Sequence, residues 1–395
     1  MLYDSQKLAR GAKKRRRAVS VSATFRLKFK SSKKREAGSL ILKITYGYTA
    51  EQFKKDPFLE MITETMDNFS TGATPGAFLV DVFPFRQSRA MFLPMTPLVL
   101  TLSSAISTQL GSWDRFQTAR KGMESPDGGD QRQTGKDNSS YLANLLDSPE
   151  QSLFDQHNHK HSALAVFGGG ADTTVSTVAS FFLAMMVYPD IQKKAQEEID
   201  RVIGSGRLPT TKDRENLPYI EALVKEIMRW HPIGPMGLPH SSTEDDVFEG
   251  YFIPKGPMVL PNIWWFTHDP ERYPDPMNFK PERFLQSDGH EPEADPHKFV
   301  FGFGRRICPG RILADNSIFL NIAQSLAVYN FAKPIVDSKV VEPEVRFTTG
   351  VISHPQSFEI AIKPRSAKHE TLIRSIEETY PWEESDSRIL ERIEV

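Results

Sequence analysis

Residues 301–310 read FGFGRRICPG, and Cys308 within them is the only cysteine in 395 residues. A lone cysteine closes no internal disulfide and completes no CxxC or multi-cysteine zinc site. The plain reading is a small buried hydrophobe. The neighbours argue for another use. Gly302, Gly304 and Gly310 permit a tight turn and close approach of the backbone to something flat or bulky. Arg305 and Arg306 set positive charge beside the sulfur, the setting in which a cysteine acts as a thiolate ligand. Amides freed by the turn are available to the same charge.

A single thiolate suffices as protein ligand when a cofactor supplies the metal's other ligands. Haem iron (iron protoporphyrin IX) meets that condition, since the porphyrin nitrogens leave an axial position to the protein. The ten residues resemble the haem-binding signature F-x-x-G-x-R-x-C-x-G of the cytochrome P-450 family. Phe301, Gly304, Arg306, Cys308 and Gly310 fill its specified positions. The resemblance implies that Cys308 is the axial ligand of haem iron and that the other four residues shape its loop.

Upstream, residues 165–177 read AVFGGGADTTVST in a long apolar stretch expected to be a helix over 161–188, ended by Pro189. Each glycine costs a helix interior up to about 1 kcal/mol relative to alanine, so three in a row need a reason. One is close helix–helix packing. The other is a locally opened helix over a flat ligand, with the acid Asp172 and the alcohol Thr173 able to relay protons. The stretch resembles the family's [AG]-G-x-[DE]-T-[TS] element. That implies that Gly169 and Gly170 lie against the haem, that Thr173 holds the proton-delivering water, and that Asp172 assists.

Glu226 and Arg229 are three residues apart and so share one face of a helix expected over 218–230. Such pairs are usually solvated surface pairs of little energetic weight. Here Ile220, Leu223, Val224 and Ile227 make the helix largely apolar, so the pair is read as buried, which demands further partners. Arg283, in Pro281-Glu282-Arg283-Phe284, offers one. These segments resemble the family's E-x-x-R and P-E-R-F elements, which implies a structural lock near the haem loop. By the same resemblance His240 and Arg306 pair with haem propionates. The segments holding Ile233 and Leu238, and Thr349, Val351 and Ile352, match family segments that line the substrate pocket, and their apolar character implies an apolar substrate.

Other helices are expected over 191–203 and 311–329, with short strands over 233–262 and up to about residue 362. The fold class expected is mostly α with small β-sheets, the cytochrome P-450 fold without its N-terminal sheet and first helices. The expected organisation is a basic segment over 1–35, a partial family domain over 36–366 with 86–138 divergent, and a polar acidic tail over 367–395. The stretch 37–49 is apolar enough for a buried helix or strand, and the resemblance favours helix. Residues 1–36 hold thirteen Lys or Arg, and KKRRR at 13–17 raises a rival reading as a nucleic-acid-binding arm. The net charge of −1 gives that rival no general support, and no nucleic-acid partner is expected. No signal peptide or membrane helix is read. Met91–Leu110, the longest apolar candidate, is interrupted by Pro94 and Pro97.

The function implied is a monooxygenase inserting one atom of O2 into a small apolar organic substrate. Electrons come from NADPH through a cytochrome reductase, for which Lys298 and Arg305 offer a basic face. The family works at the endoplasmic reticulum membrane on its cytosolic face; with no anchor read here, a cytoplasmic or peripheral location is expected. No W-x-x-x-R helix is found before Glu36. A catalytically inactive or truncated member with weak haem binding is therefore the alternative, and the chain as given is expected to retain haem poorly.

Overall fold

The computed structural model describes residues 25–28, 32–51, 54–60, 66, 140–146, 152–381 and 383–387. The basic run 13–17, the apolar stretch 91–110 and the divergent region 86–138 lie outside them, as do 61–65 and 67–68. The chain divides into two compact units, one of 1–30 and 176–380, the other of 31–175 and 381–395.

In chain order the described elements are β1 (Phe25–Lys28), α1 (Ser32–Tyr46), α2 (Tyr141–Leu146), α3 (Leu153–Val187), α4 (Pro189–Val202) and α5 (Pro218–Trp230). Then come β2 (His240–Ser241), β3 (Asp246–Phe248), β4 (Tyr251–Ile253), β5 (Met258–Val259), α6 (Ile263–His268), α7 (His297–Val300) and α8 (Arg311–Val328). The last are β6 (Tyr329–Ala332), β7 (Ile335–Val336), β8 (Lys339–Val340), β9 (Glu359–Pro364) and α9 (Ala367–Thr379). The fold is mostly helical with small sheets, as the sequence predicts. Strands β1, β9 and β6 form the largest sheet in that order, and the others are two-stranded pairs.

Proline sets the helix boundaries. Pro189 and Pro218 each stand at the first position of their helix, where the missing N–H costs nothing. Helix α4 buries Ile191, Ala195 and Ile199, four residues apart, and keeps Lys193, Lys194 and Glu197 wet. Its Glu198 is buried and turns inward to accept the amides of Tyr219 and Ile220 at 2.9–3.0 Å. That supplies the cap that Leu217, at the start of α5, cannot make. The core of the larger unit joins Phe181, Phe182 and Met185 of α3, Ile220, Leu223 and Ile227 of α5, and Phe319, Ile322 and Leu326 of α8. Phe331 of β6 and Ile360 of β9 close it.

Three observations add to the sequence reading. The polar stretch from residue 367 begins as α9, whose Ile373 is buried in the core of the larger unit. Beyond it, Asp386 accepts the Thr49 amide at 2.7 Å and Glu383 pairs with Lys43 at 2.7 Å, so its acidic residues bind the end of α1 and the residues after it. Within the basic segment, β1 pairs antiparallel with β9, Phe25 opposite Ile362. Among the described residues, His161–Val187 has the length and hydropathy to cross a membrane. Its C-terminal half, Val178 to Met186, is packed in the protein core.

Candidate functional site

Cys308 lies in a tightly wound loop between α7 and α8. Gly302 (φ +77°) and Gly304 (φ +54°) both adopt the left-handed backbone that side chains disfavour. A Cβ on Gly302 would meet nothing closer than 3.7 Å, so conformation rather than space requires glycine there. Residues Gly304–Arg306 form one tight helical turn, and the Cys308 amide donates to Phe301 O at 2.7 Å, closing the loop. Helix α8 starts three residues later, with Gly310 at its N-cap, so the positive end of a helix dipole begins beside the sulfur. Cys308 is half-buried. Around it in the chain, Phe303, Ile307, Ile312 and Leu313 expose their apolar side chains, and Arg305 and Arg306 are exposed too.

This donor set can be tested against haem. Among the described residues, no group of three or more His, Cys, Asp or Glu is placed to hold a bare metal ion. A metal at Cys308 would therefore have to bring its own equatorial ligands. An exposed apolar rim, a single soft donor and adjacent arginines suit a flat apolar macrocycle with acidic edges. The residues present fit the group.

The buried charges of Glu226, Arg229 and Arg283 form a network. Arg229 donates through Nε to Glu226 Oε2 at 2.7 Å and through its second terminal nitrogen to Oε1 at 2.8 Å. Its remaining donors reach the carbonyls of Thr267, Pro276 and Asn278. Arg283 stands 3.2 Å from Glu226 Oε2 and clasps Glu293 at 2.7 Å. The Lys280 amide adds a fourth contact to Glu226 at 2.7 Å. Burial pushes the Glu226 carboxyl up from its ordinary value, while the guanidiniums of Arg229 and Arg283 pull against that. All three side chains are buried, and Arg229 lies over the Tyr273 ring.

In the smaller unit, α3 runs unbroken through its three glycines, so the expectation of an opened helix is not met. Gly170 is explained by packing: a Cβ there would come within 2.8 Å of the Ile41 side chain of α1. A Cβ on Gly169 would meet nothing within 4 Å. Thr173 Oγ1 donates to the Gly169 carbonyl at 2.8 Å, and Asp172 is buried.

His240 is exposed on β2, opposite Val259 of β5. Ile233 and Ser353 are joined through backbone, Ser353 N–H to Ile233 O at 2.8 Å, which brings Ile233 beside Val351 and Ile352. Val351 and Ile352 are buried, whereas Leu238 and Thr349 are exposed. Sequence reasoning missed the residue that organises this corner. His231 is buried, with Nδ1 2.9 Å from Ser180 Oγ of α3 and Nε2 3.0 Å from Ser353 Oγ. Its ring stacks on Phe347 with centroids 3.8 Å apart. Burial drives its pKa down to about 3, so it is a neutral imidazole. The available signal was its position four residues beyond the buried Ile227, on the same apolar face.

The sequence pattern of the family described as Cytochrome P450 matches residues 41–362. The chain is similar to cytochrome P450 monooxygenase claR of Ampulloclitocybe clavipes, 43% identical over 86% of this chain and 62% of that protein. It is similar to cytochrome P450 monooxygenase 208 of Postia placenta, 44% identical over 88% of this chain and 66% of that protein. A third, O-methylsterigmatocystin oxidoreductase of Aspergillus flavus, is 40% identical over 91% of this chain and 66% of its own length. The chain thus spans about two thirds of the length of these curated relatives.

Proposed function

Because the chain belongs to the cytochrome P450 family, we propose that it is a haem-thiolate monooxygenase, inserting one atom of O2 into an apolar organic substrate. The observation that carries this reading is the Cys308 loop: a sole thiol, wound on left-handed glycines at a helix start, with an apolar rim. When bound, haem supplies the redox and oxygen-activating chemistry, and the protein supplies binding, orientation and proton supply.

Cys308 would be the residue that holds the haem iron. Phe301, Gly304 and Gly310 hold its loop in shape. Arg306 and His240 would hold the acidic edge of the macrocycle. The Glu226–Arg229–Arg283 lock is structural: its donors reach the chain over 267–280, and none is needed at the reacting atoms. Gly169 leaves room above the helix for a flat ligand. The Thr173 hydroxyl, on the Gly169 carbonyl, is one rotation from donating elsewhere, and Asp172 beside it is the acid that resupplies the proton.

Ile233, Leu238, Thr349, Val351 and Ile352 make the substrate surface. The substrate class is an apolar secondary metabolite, a reading supported by the relative named for O-methylsterigmatocystin. Electrons come from NADPH through a reductase docking on the exposed Lys298 and Arg305. The cytosolic face of the endoplasmic reticulum is the proposed location.

The test is the reduced, carbon-monoxide difference spectrum of the haem-loaded chain. A thiolate-type Soret band in the wild type, lost in Cys308→Ala, is expected. The same band in both would overturn the assignment of the ligand.

A further inference from the structure

Between the loop of Cys308 and the helices beneath it lies a second charge network. His297 opens α7. Its Nδ1 is 2.6 Å from Asp295 Oδ1 and its Nε2 is 3.0 Å from Asp315 Oδ1 of α8. A carboxylate accepts and does not donate, so both ring nitrogens must carry hydrogen, which makes the ring an imidazolium. Asp315 is also gripped by Arg214 through two nitrogens at 2.6 and 3.0 Å, and Arg214 holds Glu221 of α5 at 2.8 Å. Asp295 is held by Lys225 of α5 at 3.2 Å. Helix α6 presents an aromatic contact, Phe266 against Phe299 and Phe303.

These contacts lead directly to the loop. The His297 ring stacks on Phe301, centroids 5.7 Å apart. Phe301 O is the acceptor of the Cys308 amide. Asp315 sits early in α8, the helix that leaves the loop. One ring therefore ties the segment entering the loop to the helix leaving it.

We infer that His297, as a cation bridging Asp295 and Asp315, is a positioning residue that closes the base of the Cys308 loop and governs access to the sulfur. It touches neither the sulfur nor the reacting atoms and acts through Phe301. The consequence for haem ligation rests on the function proposed above; loop closure itself does not.

The bridge carries its own pH signature. Burial opposes the charge on His297, but the hydrogen bonds to Asp295 and Asp315 overcome it and hold the pKa at about 9, above the ordinary 6.5. A raised pKa means that the bridge contributes fully below 6.5 and is lost as pH rises through about 9.

Cys308 is the only cysteine, so a thiol reagent reads this loop alone. The experiment follows the rate of Cys308 labelling by an aromatic disulfide on the 395-residue chain without haem, from pH 6 to 10. It compares wild type, His297→Gln and His297→Arg. At pH 7 the Gln variant should label about tenfold faster, the scale of a lost charge-assisted hydrogen bond, and the Arg variant close to the wild-type rate. The wild-type-to-Arg rate ratio should rise above pH 9, because arginine keeps its charge there. A flat ratio across that range would overturn the inference, as would wild-type labelling in a folded Gln variant. If the Gln variant does not fold, the ratio decides alone. Labelling as expected in a chain with no thiolate Soret band would remove the haem reading and leave the latch; the reverse pattern would do the opposite.

Discussion

Arg229 holds Glu226 in a two-pronged ion pair, 2.7 and 2.8 Å, with no solvent exposure on either side chain. Three residues apart on α5, they meet because a helix places them on one face. The pair is viable without water because other groups complete it: Arg283, the Lys280 amide and three backbone carbonyls.

Breaking that pair from one side leaves a buried charge without its match. Glu226→Gln and Arg229→Lys should each destabilise the chain by about 3–5 kcal/mol. Lysine is no substitute, since it lacks the planar fork that reaches both carboxylate oxygens. Urea unfolding curves check this; a loss under about 1 kcal/mol would show that the network is not a structural lock.

The adjacent glycines of α3 should respond with opposite signs. Gly170→Ala drives a methyl against Ile41 and should cost about 1–3 kcal/mol, with partial recovery in the Ile41→Val background. Gly169→Ala meets no atom and should gain up to about 1 kcal/mol of stability from helix propensity. Thermal melts of the three variants distinguish the sites.

His231 predicts an acid limb of stability. Its pKa is lowered to about 3 in the fold against 6.5 ordinarily, so between those values the unfolded chain binds a proton that the folded chain refuses. Stability should therefore fall as pH drops from 6.5 toward 3. In His231→Leu that slope should flatten. Ser180 and Ser353 keep acceptors there, the carbonyls of Ser176 and Thr348. An unchanged slope in urea midpoints measured across pH 4 to 7 would contradict a neutral buried ring.

Thr173→Ala removes the hydroxyl that rests on the Gly169 carbonyl and leaves the Cys308 loop untouched. The variant should bind haem as the wild type does and divert reducing equivalents from product to peroxide. Peroxide yield per NADPH consumed, in a reductase-supported assay, is the measurement. Equal coupling in both proteins would count against the proton relay.

Much of the fold was written locally. Pro189 and Pro218 fix where α4 and α5 begin, because a missing N–H is tolerated only in a first turn. The spacing of Glu226 and Arg229 made them neighbours before any packing was known. The glycines at 302 and 304 and the lone cysteine marked a wound loop, and the loop is there.

What the sequence left open depends on partners far away in the chain. GGGADTT reads identically for a packing helix and for an opened one; only Ile41 distinguishes Gly170 from Gly169. The polar stretch from 367 becomes α9 because Ile373 finds the core, and β1 exists because β9 offers an edge. His231 and His297 are both histidines in apolar company, yet one is neutral and the other charged. Two hydroxyls surround the first, and two carboxylates the second. Local spacing sets which residues share a face. The charge, exposure and work of each depend on what the folded chain brings opposite it, and no short stretch of sequence contains that information.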